Sequence, residues 1–172
     1  MIKPQDILVL LKLVVLGRRD WAYNKVAVEL DMSSSEVHAA CKRALAANLA
    51  SKENNKITPN IGNLEEFITH GLKYAFVAER GEMTRGIPTA HAAAPLSELI
   101  VGDDEPVPVW PDANGKVRGM AFLPLYKSAP HAALKDEELY RMLALVDAIR
   151  GGRARERKIA LEEIKQRLIQ YG

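Results

Sequence analysis

Between Trp21 and Leu49 the chain reads WAYNKVAVELDMSSSEVHAACKRALAANL, and this stretch constrains the fold more than any other. Val26, Ala27 and Leu30 recur at helical spacing and stop at Asp31-Met32. A second helix opens at Ser33, where Ser33-Ser-Ser-Glu36 has the pattern of a capping box. In that pattern the Ser33 hydroxyl accepts from the Glu36 amide while the Glu36 carboxylate accepts from the Ser33 amide. Beyond the cap, Val37, Ala40, Cys41, Ala44 and Leu45 form one apolar stripe at i, i+3, i+4, i+7, i+8. The opposite face is polar and carries Ser34, Ser35, His38, Lys42 and Arg43.

A three-residue turn, a capped second helix and a polar outer face together describe a helix-turn-helix. The run resembles the winged helix-turn-helix of bacterial transcriptional regulators of the MarR and IclR groups. Those read leucine, glycine, leucine, serine, then a valine, and close on leucine, two polar residues, glycine and leucine. The matching residues here are Leu30, Asp31, Met32, Ser33, Val37, Leu45, Asn48 and Leu49. Asp31 and Asn48 stand where the family often has glycine, and both types tolerate the left-handed backbone a glycine would supply. The resemblance covers about residues 5–60 and implies a winged-helix fold and double-stranded DNA as partner. It carries no information on signal or target gene.

The 172 residues, 48% of them hydrophobic and 27% charged, suit one core with an appendage. The net charge of +2 marks no global field for a polyanion, but its distribution is uneven. Residues 1–60 sum to +3, residues 61–130 to −3 and residues 131–172 to +2. A basic head is compatible with DNA binding at that end. The single cysteine, Cys41, excludes an intramolecular disulfide and leaves too few thiols for a cysteine-rich zinc site. A reducing cytoplasm fits. The apolar run Ile7–Leu16 is broken by Lys12 and is too short to span a membrane, so none is expected as partner.

Pro4 suits a first helical turn, and Ile7, Leu10, Leu11, Val14 and Val15 continue to a stop at Gly17. Leu8, Val9, Leu13 and Leu16 make this helix apolar on most sides, so it is either central to the core or half of a dimer contact. After Leu49, Asn54-Asn55 reads as a hairpin turn between Leu49–Lys52 and Lys56–Thr58, the wing of the motif or an ordinary polar loop. Lys52 and Lys56 flank its tip. A helix is expected from Asn63, where Asn63-Leu-Glu-Glu66 forms a second capping signal and apolar positions run to Phe76. In regulators of the resembled kind such a helix packs subunits together, which implies a homodimer; the bland alternative is a helix that caps its own domain.

Seven of the nine prolines fall in residues 77–130. Asn114-Gly115 is a turn signal between candidate strands Val107–Trp110 and Lys116–Phe122, and the rest, through Thr84–His91, is expected to be extended, irregular chain wrapped on the helices. Asp136 caps a helix ending at Gly151-Gly152, and a last helix spans about Ala154–Gln170. Arg150, Arg153, Arg155 and Arg157 cluster between the two. Cations at a helix start oppose its macrodipole, so an anionic partner stands beside the reading of a solvated basic turn.

No glycine-rich phosphate loop, serine elbow or histidine pair at metal spacing appears, so no enzyme activity, cofactor or metal is expected. His38 and Cys41 alone do not make a metal site, and Cys41 reads as a small buried hydrophobe. His91, with Arg85 and Thr89, is a candidate pocket lining in the middle region. The expected fold is mainly α with a small β component. A winged helix-turn-helix occupies 1–60, a connecting or dimerisation helix 61–80, a proline-rich segment with a candidate hairpin 81–130, and a helical segment 131–172. The expected function is a homodimeric DNA-binding transcriptional repressor with its second motif helix in the major groove. Ser33, Ser34, Ser35, His38 and Lys42 would meet bases or phosphates, while Arg43, Lys52 and Lys56 would meet the backbone. The alternative is an interaction module or antitoxin-like regulator that binds a partner protein through residues 77–172.

Overall fold

The computed structural model of the chain describes residues 1–102 and 105–171. It is a mixed α/β molecule, about 56% helix and 16% strand, with small sheets. Helix α1 (Pro4–Leu16) starts on proline and ends at Gly17, whose φ of 61° lies in the left-handed half of the map. Helices α2 (Tyr23–Leu30) and α3 (Ser34–Ala46) follow, joined through Asp31 at φ 55°, ψ 44°. Strands β1 (Ala50–Glu53) and β2 (Lys56–Pro59) form an antiparallel hairpin with Ser51 opposite Thr58 and Glu53 opposite Lys56. Its turn residues Asn54 and Asn55 both have positive φ, 51° and 64°, as a two-residue primed turn demands. Asn48 also takes positive φ, 60°.

Helix α4 (Ile61–His70) begins earlier than expected. Asn60 is its cap, accepting from the Asn63 amide at 3.1 Å, while the Asn63 side chain donates to the Asn48 carbonyl at 2.8 Å. Gly71 then breaks the helix, and a short α5 (Leu72–Ala75) completes the apolar run.

Residues 80–122 correct the expectation of irregular chain. They hold β3 (Arg80–Pro88), a short α6 (Leu96–Leu99), β4 (Pro108–Pro111) and β5 (Val117–Phe122). The Asn114-Gly115 turn is present, closed by the Gly115 amide donating to the Asp112 carbonyl at 3.0 Å, but its flanking strands do not pair as a hairpin. β4 and β5 run parallel, Pro108 opposite Met120, and β3 is antiparallel to both, which closes a three-stranded barrel. So tight a closure requires backbones to touch. A Cβ on Gly86 would stand 2.0 Å from the Trp110 carbonyl oxygen, and one on Gly119 2.1 Å from that of Val107.

Helix α7 (Ala129–Lys135), which the sequence did not announce, precedes α8 (Glu137–Gly151) and α9 (Ala154–Tyr171). α8 is the axis of the molecule: every residue from Met142 to Ile149 is buried, and it packs against α1, α4, α5, α7 and α9. α1 is likewise buried from Asp6 through Val15, covered by α3, β2, α8 and α9 of the same chain. A dimer contact is therefore not needed to explain its apolar surface. Each of its fully buried aliphatic side chains contributes roughly 1.5–3 kcal/mol of transfer free energy. One apolar cluster runs without interruption from Ile7 to Leu168.

Ion networks with buried members cross-link this core. The Lys12 ammonium on α1 reaches Asp136 at 2.7 Å and Glu29 at 3.2 Å, tying α2 to the cap of α8. Asp147 on α8 accepts from Thr89 Oγ1 and Trp110 Nε1, each at 2.7 Å, and from the Arg150 guanidinium at 2.8 Å. Burial pushes the Asp147 carboxyl up from its ordinary range, and the Arg150 charge is the largest opposing influence. Among the described residues no helix is long and apolar enough to cross a membrane.

Candidate nucleic-acid interface

The first turn of α3 folds as its sequence specifies. The Glu36 amide donates to Ser33 Oγ at 3.2 Å and the Ser33 amide to Glu36 Oε2 at 2.7 Å, so both halves of the capping box are made. The stripe Val37, Ala40, Cys41 and Ala44 is buried, leaving Ser34, Ser35, His38 and Lys42 exposed. Residues 34, 38 and 42 are four apart, hence in one row along the helix. His38 stacks on Tyr23 of α2 with ring centroids 3.5 Å apart and planes 17° apart. Across a cleft of about 310 Å3, lined by Tyr23, His38, Lys42 and Leu45, stands the hairpin with exposed Lys52 and buried Ile57. A second cleft, about 320 Å3, lies between the hairpin and the α1–α2 turn and is lined by Arg18, Asp20, Trp21 and Lys56.

Two expected contacts are turned inward or shared. Arg43 does not present its guanidinium outward: Nη2 donates to Asp6 Oδ1 at 2.7 Å and Nε to Asp6 Oδ2 at 2.8 Å. Asp6 is fully buried, and a buried carboxylate holds its partner strongly, so Arg43 serves the α1–α3 junction. Lys56 is exposed but pairs with Asp20. Most of the arginine cluster is likewise engaged within the chain. Arg150 is buried against Asp147 and donates to the Phe76 and Leu123 carbonyls, Arg153 pairs with Glu105, and Arg157 donates to the Gly152 carbonyl at 3.0 Å. Arg155 is exposed. Chain-internal acceptors thus account for most of the cations that seemed out of place beside a helix start.

Cys41 is buried, and that burial, with Asp6 second, raises its thiol to about 11. Thr89 belongs to the Asp147 network, whereas His91 faces Glu156 at 3.6 Å in a small polar cavity with Arg80 and Arg153, so the candidate grouping of His91, Arg85 and Thr89 does not form.

Sequence reasoning missed the residues that the β5–α7 connection brings to α3. The Tyr126 hydroxyl donates to Glu36 Oε1 at 3.0 Å, and the Lys127 ammonium lies 5.8 Å from the Tyr126 ring centroid. The Ser33 amide, then the Tyr126 phenol and the Ser33 hydroxyl, hold the Glu36 carboxyl below the usual range, with the Lys127 charge adding a smaller pull. Farther along, His131 lies between Asp31 and Asp112, at 3.8 and 3.4 Å, and Lys135 Nζ donates to the Val28 carbonyl at 3.2 Å. No local signal at residues 126–135 announces the contacts with α2 and α3, since Glu36, Asp31 and Val28 lie 90 to 107 positions earlier along the chain. No protein-family model, curated protein or solved structure matches the chain.

Proposed function

We propose that this chain is a DNA-binding transcriptional regulator built on a winged helix-turn-helix, with α3 entering the major groove and the β1–β2 hairpin as its wing. The reading rests on the capped, outward row Ser34, His38, Lys42, of which His38 and Lys42 face the cleft whose other wall carries Lys52. Hydroxyls and an imidazole supply adaptable hydrogen bonds to base edges and phosphate, and the lysines supply phosphate contacts. A homodimer would set two such helices about 34 Å apart on a palindromic site. A second reading, a winged-helix module for a protein partner, is favoured by exposed Val77 and Leu123 lining the groove between α5 and the end of β5.

Fluorescence anisotropy against the DNA upstream of the protein's own gene, beside random duplex and across a salt series, separates the two. A regulator binds the upstream fragment more tightly, with affinity falling steeply as salt rises through counterion release. Equal indifference to both fragments at low salt rejects the DNA reading.

A further inference from the structure

Resting on that reading, we infer that the nucleic-acid surface extends beyond the helix and hairpin to Lys127, an exposed side chain that meets duplex phosphate beside the first turn of α3. Lys127 is delivered there by a specific contact. Tyr126 is half-buried and its hydroxyl is fixed on Glu36, a residue of the capping box itself, so the backbone of its neighbour is held next to α3. The Lys127 ammonium has the Tyr126 ring beneath it, an exposed cation–π contact of modest strength that leaves its donors available to an anion. Its charge already acts on Glu36.

The placement also answers a difficulty in the row of α3 residues. Glu36 lies between Ser35 and Val37 on the turn that would approach the polyanion, and an uncompensated carboxylate there would repel it. The Ser33 amide and the Tyr126 hydroxyl engage its two oxygens and hold the carboxylate ionised, so the nearby Lys127 cation is what offsets its charge. With Lys127 included, cations stand at the start of α3 (Lys127), at its middle (Lys42) and across the cleft (Lys52), so that phosphates on either side of the helix would be met.

The test is a titration of a fluorescein-labelled mixed-sequence duplex over a salt series with wild type, Lys127→Ala, Lys127→Arg, Lys42→Ala and, as a control on α9, Lys165→Ala. Each neutralised phosphate contributes about 0.9 to the slope of log K against log salt. Lys127→Ala is expected to lower that slope by about 1 and to weaken binding to different sequences uniformly, as expected for Lys42→Ala at a phosphate, while Lys127→Arg restores both. Lys165→Ala keeps the wild-type slope. If Lys127→Ala binds as wild type while Lys42→Ala is impaired, the inference is overturned and the DNA reading stands. If wild type shows no salt-sensitive binding, both fall together. Melting curves confirm that the exposed Lys127 variants stay folded.

Discussion

At the scale of single residues, the charges split into those the fold uses and those it leaves outside. Arg43 and Arg150 belong to the first kind. Removing the arginine from a buried pair leaves a carboxylate with neither water nor partner, at a cost of about 3–5 kcal/mol. Arg150→Met, whose partner Asp147 is 1% exposed, should therefore lower stability by an amount in that range, read as a shifted midpoint in denaturant. Arg43→Met should fall near the lower end, about 3 kcal/mol, because the Arg43 side chain keeps 22% exposure. A stability loss under 1 kcal/mol at either position would mean that the pair is solvated in solution. Cys41 gives a reciprocal test. With its thiol raised to about 11, little thiolate exists near neutral pH, so a thiol-specific reagent should modify it at the rate of global unfolding. Fast labelling of native protein would contradict the burial and reopen a redox role.

At the scale of elements, the capping box of α3 makes a pH-dependent prediction. The folded Glu36 carboxyl is held below its ordinary value, chiefly by the Ser33 amide. A depressed carboxylate contributes stability that is fully present above the ordinary value, about 4.3, and lost as pH falls through the lower folded one. Glu36→Gln keeps the cap geometry without the charge. The melting temperature of wild type should exceed that of Glu36→Gln near neutrality, and the gap should close in acid; a gap that persists in acid would assign the effect to geometry alone. Elements with local signatures of this sort were legible in the sequence: the Pro4 start, the left-handed Asp31 and Asn48, the Asn54-Asn55 hairpin and the Asp136 cap. The barrel was not. Its proline-rich strands lack the alternation of a half-buried sheet, and its closure depends on glycines that look like turn residues until the strands they face are known. The exposed row on α3 was legible because it follows from helical period, whereas the inward turn of Arg43 depends on Asp6, 37 positions away.

At the scale of the whole molecule, the segment that carries the candidate interface does not own its core. α1 is buried from Asp6 to Val15 by elements at both ends of the chain, and α8 and α9 cover it alongside α3 and β2. Lys12 takes one of its two carboxylates from the cap of α8, and Glu36 takes a hydrogen bond from Tyr126. A fragment of residues 1–60 would expose the part of α1 that α8 and α9 cover. It would also strand a buried lysine beside one remaining acid, in a size class that is marginal even with an intact core. We therefore expect the full chain to unfold in one cooperative transition with coincident far- and near-ultraviolet circular dichroism. The 1–60 fragment should show helical signal without a sigmoidal melt and should bind a hydrophobic dye. A fragment that melts cooperatively close to the full-length midpoint would instead make residues 1–60 a separable domain. On the cooperative outcome, any ligand or partner that stabilises the packing of α8 also stabilises the platform on which α3 is presented, because both faces belong to the same folding unit.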